Sequence, residues 1–244
     1  MNLDMIRENP SAIFEGFLII FEIREIITAI FGRRGKFLRN KYIILFSTLF
    51  SILIVSSGCA ISGEEKITIE VNSESEYVDT FKDLNLGILF DFNIKLPNAD
   101  KSWVNLWVER YIDGELESEP LTQLSYGNSP NKVQEGNLGF GMINTSSEED
   151  TLVFLYGPSV RTNPERIEKE AKSGIFSGAE YAIGNDEVEL ELGETKILGV
   201  YRETEGDSMR TFDFQDEDSV NQMIQQDDEV LLLKIKVEER IINY

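Results

Sequence analysis

From residue 88 to residue 96 every second side chain is apolar. Ile88, Phe90, Phe92, Ile94 and Leu96 share one face, and Asp91, Asn93 and Lys95 take the other. A side-chain period of two belongs to an extended strand with one face on a core, and a helix cannot use it. Shorter runs of the same kind follow one another along the chain, at 66–71, 103–112, 115–124, 138–143, 151–156, 188–192, 195–201, 210–214 and 229–237. Turn chemistry separates them. Asp113-Gly114 predicts a hairpin between 103–112 and 115–124, and Gly193-Glu194 predicts another between 188–192 and 195–201. Residues 127–136 gather Asn, Ser, Pro and Gly and read as a loop. Residues 230–233 are apolar on both faces, which places the last strand in the middle of a sheet.

Two segments read as helices. In 163–174, Asn163 is the N-cap and Pro164 opens the first turn. Glu165/Lys169 and Glu168/Lys172 pair at i, i+4, and Gly174 stands past the end. Only Ile167 and Ala171 are apolar there, so this helix would lie on the surface. Ser219 and Gln222 form a capping-box pair for a second helix carrying Val220, Met223 and Ile224. Val104, Trp107, Val108 and Tyr111 also fit a helical spacing with Asp100 as cap, but the Asp-Gly turn that follows favours the strand. The expected fold is mainly β, an antiparallel β-sandwich with a β-barrel as the alternative. One or two short surface helices accompany it, and an N-terminal hydrophobic signal helix precedes it.

Charge narrows the partners. Of 23 Lys+Arg and 44 Asp+Glu, 7 and 5 precede residue 59, which leaves 16 and 39 and a net charge of −23 beyond it. Such a surface repels phosphate backbones, so nucleic acid is not an expected partner. Histidine is absent, which excludes Ser-His-Asp and Cys-His catalysis and the common His-containing zinc sites. Ser-Lys and paired-carboxylate chemistry stay formally open.

The N-terminal region has its own logic. Arg33, Arg34, Lys36, Arg39 and Lys41 precede an apolar run at 42–55, which is shorter than the roughly 20 residues that comfortably span a bilayer. Ser56, Ser57 and Gly58 are small, and Cys59, the only cysteine, follows them. Residues 33–60 resemble bacterial lipoprotein signal peptides. The resemblance implies cleavage between Gly58 and Cys59 and a diacylglyceryl thioether on Cys59, holding the rest of the chain at the extracytoplasmic face of a cell membrane. Ser56 departs from the usual Leu three positions before the cysteine. Cys59 also lies far from Met1, and translation starting near Leu38 would restore an ordinary signal length. The other reading is an uncleaved anchor that ends in a plain thiol. The organisation expected is an extension plus signal peptide at 1–58, a lipidated tether at 59–66 and one acidic β domain at 67–244.

Three groups of residues are candidate sites. With 103–112 as a strand, Trp103, Trp107 and Tyr111 share a face with Asn105 and Glu109, while Val104, Leu106, Val108 and Ile112 line the other. An aromatic row with polar residues between is what sugar rings stack on, and burial in the core is its alternative role. Asp213, Asp216, Glu217 and Asp218 gather oxygen ligands, but the calcium-loop pattern with its central glycine is missing, and a solvated acidic surface accounts for them equally. Glu109 with Glu115 is a carboxylate pair outside any motif. The expected function is therefore a non-catalytic binding or interaction domain without cofactor. Its partners are the membrane, through Cys59, and an extracytoplasmic protein or glycan.

Overall fold

A computed structural model describes residues 65–144, 150–168, 174–205 and 208–240. The chain divides into two compact units, Met1–Ser62 and Gly63–Tyr244, and every described residue belongs to the second. The signal segment, Gly58 and Cys59 lie outside the described residues.

In chain order the elements are β1 (Ile67–Val71), α1 (Glu76–Asp83), β2 (Gly87–Leu96), β3 (Ser102–Ile112), β4 (Glu115–Leu116), β5 (Thr122–Gly127), β6 (Gln134–Asn144) and β7 (Asp150–Gly157). They continue with β8 (Val160–Arg161), β9 (Glu165–Glu168), β10 (Ile175–Tyr181), β11 (Val188–Leu190), β12 (Thr195–Glu205), α2 (Glu217–Gln226) and β13 (Glu229–Glu239). One sheet runs β11-β1-β2-β6-β7-β8, with β9 also on β7. The other runs β10-β12-β13-β3-β4, with β5 also on β3. All pairings are antiparallel, and the two sheets stay open rather than closing into a barrel. This is the antiparallel sandwich that the alternation calls for.

The alternating residues face inward. Phe90, Phe92, Ile94 and Leu96 of β2 join Leu138, Phe140, Val153 and Leu155 from β6 and β7 in one buried cluster. Val104, Leu106 and Val108 of β3 and Leu231, Leu233, Ile235 and Val237 of β13 enter it from the other sheet. Gly199 of β12 admits the Phe90 ring, since a Cβ there would stand 2.9 Å from its Cδ1. The double-faced run 230–233 is central, as its composition demands. Val230 and Leu232 point outward under α2, where Val220, Met223 and Ile224 cover them.

Several expectations fail. Residues 165–168 form β9 on the edge of β7, with Val153 opposite Glu165 and Asp150 opposite Glu168, and Ile167 is buried. The i, i+4 ion pairs expected there are worth only about 0.2–0.5 kcal/mol each, less than burying an isoleucine and pairing a strand edge. Lys169 and Lys172 themselves lie outside the described residues. Residues 188–192 and 195–201 form no hairpin, because β11 pairs with β1 while β12 pairs with β10 and β13. Gly193, at φ 83°, turns the chain from one sheet to the other.

Residues 210–214 form no strand. Buried Arg202 holds this stretch by donating to the Arg210 carbonyl, and its guanidinium sits 5.1 Å from the Phe212 ring centre. Helix α2 starts earlier than the capping-box reading placed it. Asp216 is the N-cap and accepts from the Ser219 amide at 2.9 Å. Helix α1, which the sequence reading lacks, is capped by Ser75, buries only Val78 of its own residues and carries Tyr77 and Phe81 at i, i+4.

Gly139 of β6 is the tightest test of this packing. A Cβ there would meet the Phe90 carbonyl oxygen at 2.0 Å and the Tyr156 hydroxyl at 2.6 Å. Gly139→Ala is expected to destabilise the domain by about 1–3 kcal/mol, read from the midpoint of a urea melt.

Candidate functional site

Strand β3 alternates as its sequence demands, so Trp103, Asn105, Trp107, Glu109 and Tyr111 all project from the outer face of the second sheet. Register adds neighbours from both sides. Lys234 and Gln123 flank Trp107, Lys236 and Ser125 flank Asn105, and Glu238 and Gly127 flank Trp103. Helix α2 and the segment bearing Phe212 and Phe214 cover one end of this face, and Tyr111 packs at their margin. Trp103 and Trp107 belong to neither buried cluster and are half-buried.

Glu109 organises the row. Its carboxylate accepts from Lys234 Nζ at 2.6 Å, Tyr111 Oη at 2.8 Å and Trp107 Nε1 at 3.1 Å. Burial raises its pKa, but these three donors and the lysine charge outweigh it and hold the carboxyl below the ordinary glutamate value. Burial, then the facing carboxylate, pushes the Tyr111 phenol up. Asn105 donates to Glu238 at 3.1 Å and accepts from Ser125 Oγ at 2.8 Å. The Arg240 guanidinium lies 4.6 Å from the Trp103 ring centre. The two indoles are thus fixed in orientation, with lysine, amide and hydroxyl groups beside them.

Glu109 and Glu115 do not come together. Glu115 sits opposite Ile112, whose side chain is on the other face of β3 from Glu109. The acids at 213–218 serve α2: Asp216 caps it and Asp213 accepts from the Gln215 amide at 2.9 Å. Among the described residues no three carboxylates group to hold a metal ion.

A second site, on the outer face of the first sheet, was missed by sequence reasoning. Gly139 and Gly141 leave the middle of that face bare, and Phe154 and Tyr156 of β7 lie over them. Helix α1 closes the arrangement, with Tyr77 edge-on to Tyr156 and Phe81 beside Phe154, both at 6.2 Å between ring centres. The alternating glycines in Gly139-Phe140-Gly141 were the available signal, since a strand that lacks side chains on one face admits bulky neighbours.

Beneath Tyr156 is Asp91, fully buried although the alternation places it on the outer face. It accepts from Tyr156 Oη at 2.7 Å, Asn137 Nδ2 at 2.9 Å and Asn72 Nδ2 at 3.3 Å. Burial, then the Asp91 charge, drives the Tyr156 phenol far above its ordinary range, so it stays a donor. Between α1 and the β7–β8 turn opens a groove of about 870 Å³.

Residues 72–237 match the YgaN domain. This chain belongs to the YgaN domain family. The matched span includes both outer faces, from Asn72 beneath the groove to Lys236 beside the indoles. Over 67 residues the chain is also 33% identical to the protein nucleotidyltransferase YdiU of Clostridium botulinum (strain Eklund 17B / Type B), a stretch that covers 28% of this chain and 14% of that relative. No solved structure matches this YgaN-family chain.

Two outcomes test these networks. Tyr156→Phe leaves a buried carboxylate oxygen short of a donor and is expected to cost about 1–3 kcal/mol in chemical denaturation. Glu109, depressed in the folded state, contributes stability above the unfolded glutamate value of about 4.3, and that stability is lost as pH falls through the lower folded value. Glu109→Gln should therefore flatten the fall of melting temperature between pH 6 and pH 3.

Proposed function

We propose that this YgaN-family protein is an exported lipoprotein, anchored through Cys59 at the extracytoplasmic face of the membrane, whose β domain is a non-catalytic binding module. Its ligand is a glycan, taken on the outer face around Trp103 and Trp107. The observation that supports this reading is the half-covered face. Helix α2 shields one end of the second sheet, while the two indoles at the other end belong to no buried cluster. They stand four residues apart on one strand, about 13 Å, which is the reach of an oligosaccharide rather than a single ring. Ring faces take the C–H faces of sugars, and Lys234, Lys236 and Gln123 beside them suit sugar hydroxyls. The net charge of −23 from residue 59 onward favours a neutral glycan over an anionic one. The anchor rests on the order of basic patch, short apolar run, small residues and cysteine in residues 33–60.

Two measurements test the two halves. Radiolabelled palmitate is expected to enter the wild-type chain and not Cys59→Ser, and equal labelling of both would remove the anchor. On an array of neutral cell-surface glycans the membrane-extracted protein should bind, and Trp107→Ala should weaken binding about tenfold, the loss of one stacking contact. Unchanged binding by Trp103→Ala and Trp107→Ala together would remove this face from the reading.

A further inference from the structure

The groove between α1 and the β7–β8 turn differs in its charge from three other concavities among the described residues. Its lining, which includes Tyr77, Phe81, Leu89, Phe154, Tyr156 and Arg161, contains no Asp or Glu. Three other concavities of the same domain carry three or four carboxylates each. The acids of α1 itself, Glu76, Asp79 and Asp83, do not line it either.

Arg161 is the one charge in the groove, is exposed, and makes no ion pair among the described residues. It lies opposite Tyr156 in the β7–β8 pair, so both side chains rise from the same face, toward α1. The remaining lining is apolar or aromatic, with the hydroxyls of Thr80 and Ser159 at hand. Concave, mostly apolar surfaces of this size with a few polar groups are where small molecules bind.

We infer that this groove binds a small monocarboxylate with an aromatic or aliphatic body, its carboxylate on Arg161 and its body against Phe81, Phe154 and Tyr156. A single guanidinium matches one carboxylate in a two-point contact. The net charge of −23 carried by the chain from residue 59 onward penalises each further negative charge, which disfavours a dianionic phosphate. The buried Asp91 does not oppose the carboxylate. It lies on β2, three strand spacings or about 14 Å from β8 across the sheet, and its own oxygens are held by Tyr156, Asn137 and Asn72. This site is on the opposite sheet from the indoles, and its test is independent of theirs.

The probe is 4-phenylbutyrate, titrated calorimetrically into the full chain in neutral-lipid nanodiscs, beside its neutral isostere 4-phenylbutanol and its cationic isostere 4-phenylbutylamine. The acid is expected to bind at least about tenfold more tightly than the alcohol, and the amine not at all. Arg161→Gln, at an exposed position, should bring the acid down to the alcohol. Thr80→Trp, which fills the groove from the exposed face of α1, should abolish binding of both, and Trp107→Ala should change neither. No binding of the acid by the wild-type chain, equal binding of all three probes, or an Arg161→Gln variant that binds the acid as the wild type does would overturn the assignment.

Discussion

The contact of Phe90 with the opposite sheet sets the geometry that the rest depends on. Its ring stacks on Phe140 at 6.4 Å, meets Tyr181 edge-on at 5.4 Å, and enters the space left by Gly199. Sheets in a sandwich pack about 10 Å apart, and large rings reach that closely only where the facing strand gives up a side chain. With Phe90 and Phe92 directed inward, the strand period directs Leu89 and Asp91 outward. The buried carboxylate under Tyr156 is therefore a consequence of the core register, and a slip of one residue would turn Asp91 itself into the core together with Asn93 and Lys95.

Both outer faces are then treated alike. Each carries a short helix over part of its area: α1 over the first sheet through Val78, Tyr77 and Phe81, and α2 over the second through Val220, Met223 and Ile224. Neither helix is long enough to cover its sheet. The uncovered remainder on one side is a row of indoles held in place by Glu109, and on the other a groove with Arg161 at its edge. Their chemistry differs because their neighbours differ. The indoles sit among lysines, an amide and hydroxyls, whereas the groove is aromatic with a single cation in a strongly anionic domain.

Where local signals and long-range pairing pointed the same way, the elements were readable. The β2 alternation and the double-faced run 230–233 name their own environment, and Asp113-Gly114 makes its turn, although of the strand expected at 115–124 only Glu115 and Leu116 pair behind it before β5 begins at Thr122. Where they conflicted, pairing won. Residues 165–168 have the caps and ion pairs of a helix, yet the free edge of β7 recruits them and buries Ile167. Gly193-Glu194 has hairpin chemistry, yet the chain uses it to change sheets. Of the sites, the shared face of Trp103, Trp107 and Tyr111 followed from period alone. Glu109 as their common acceptor did not, since Lys234 is supplied from a strand 125 residues away.

By itself the sequence determined a mainly β fold with a two-faced last strand, the row of rings on β3 and a strongly acidic composition, because side-chain period and net charge are properties of the chain read in order. Only the tertiary structure decided which half of each outer face a helix covers, that Asp91 is buried and satisfied, and that Arg161 meets an acid-free aromatic groove. Those outcomes come from contacts between residues far apart in the chain, and no local pattern encodes the partner that a distant strand or helix brings.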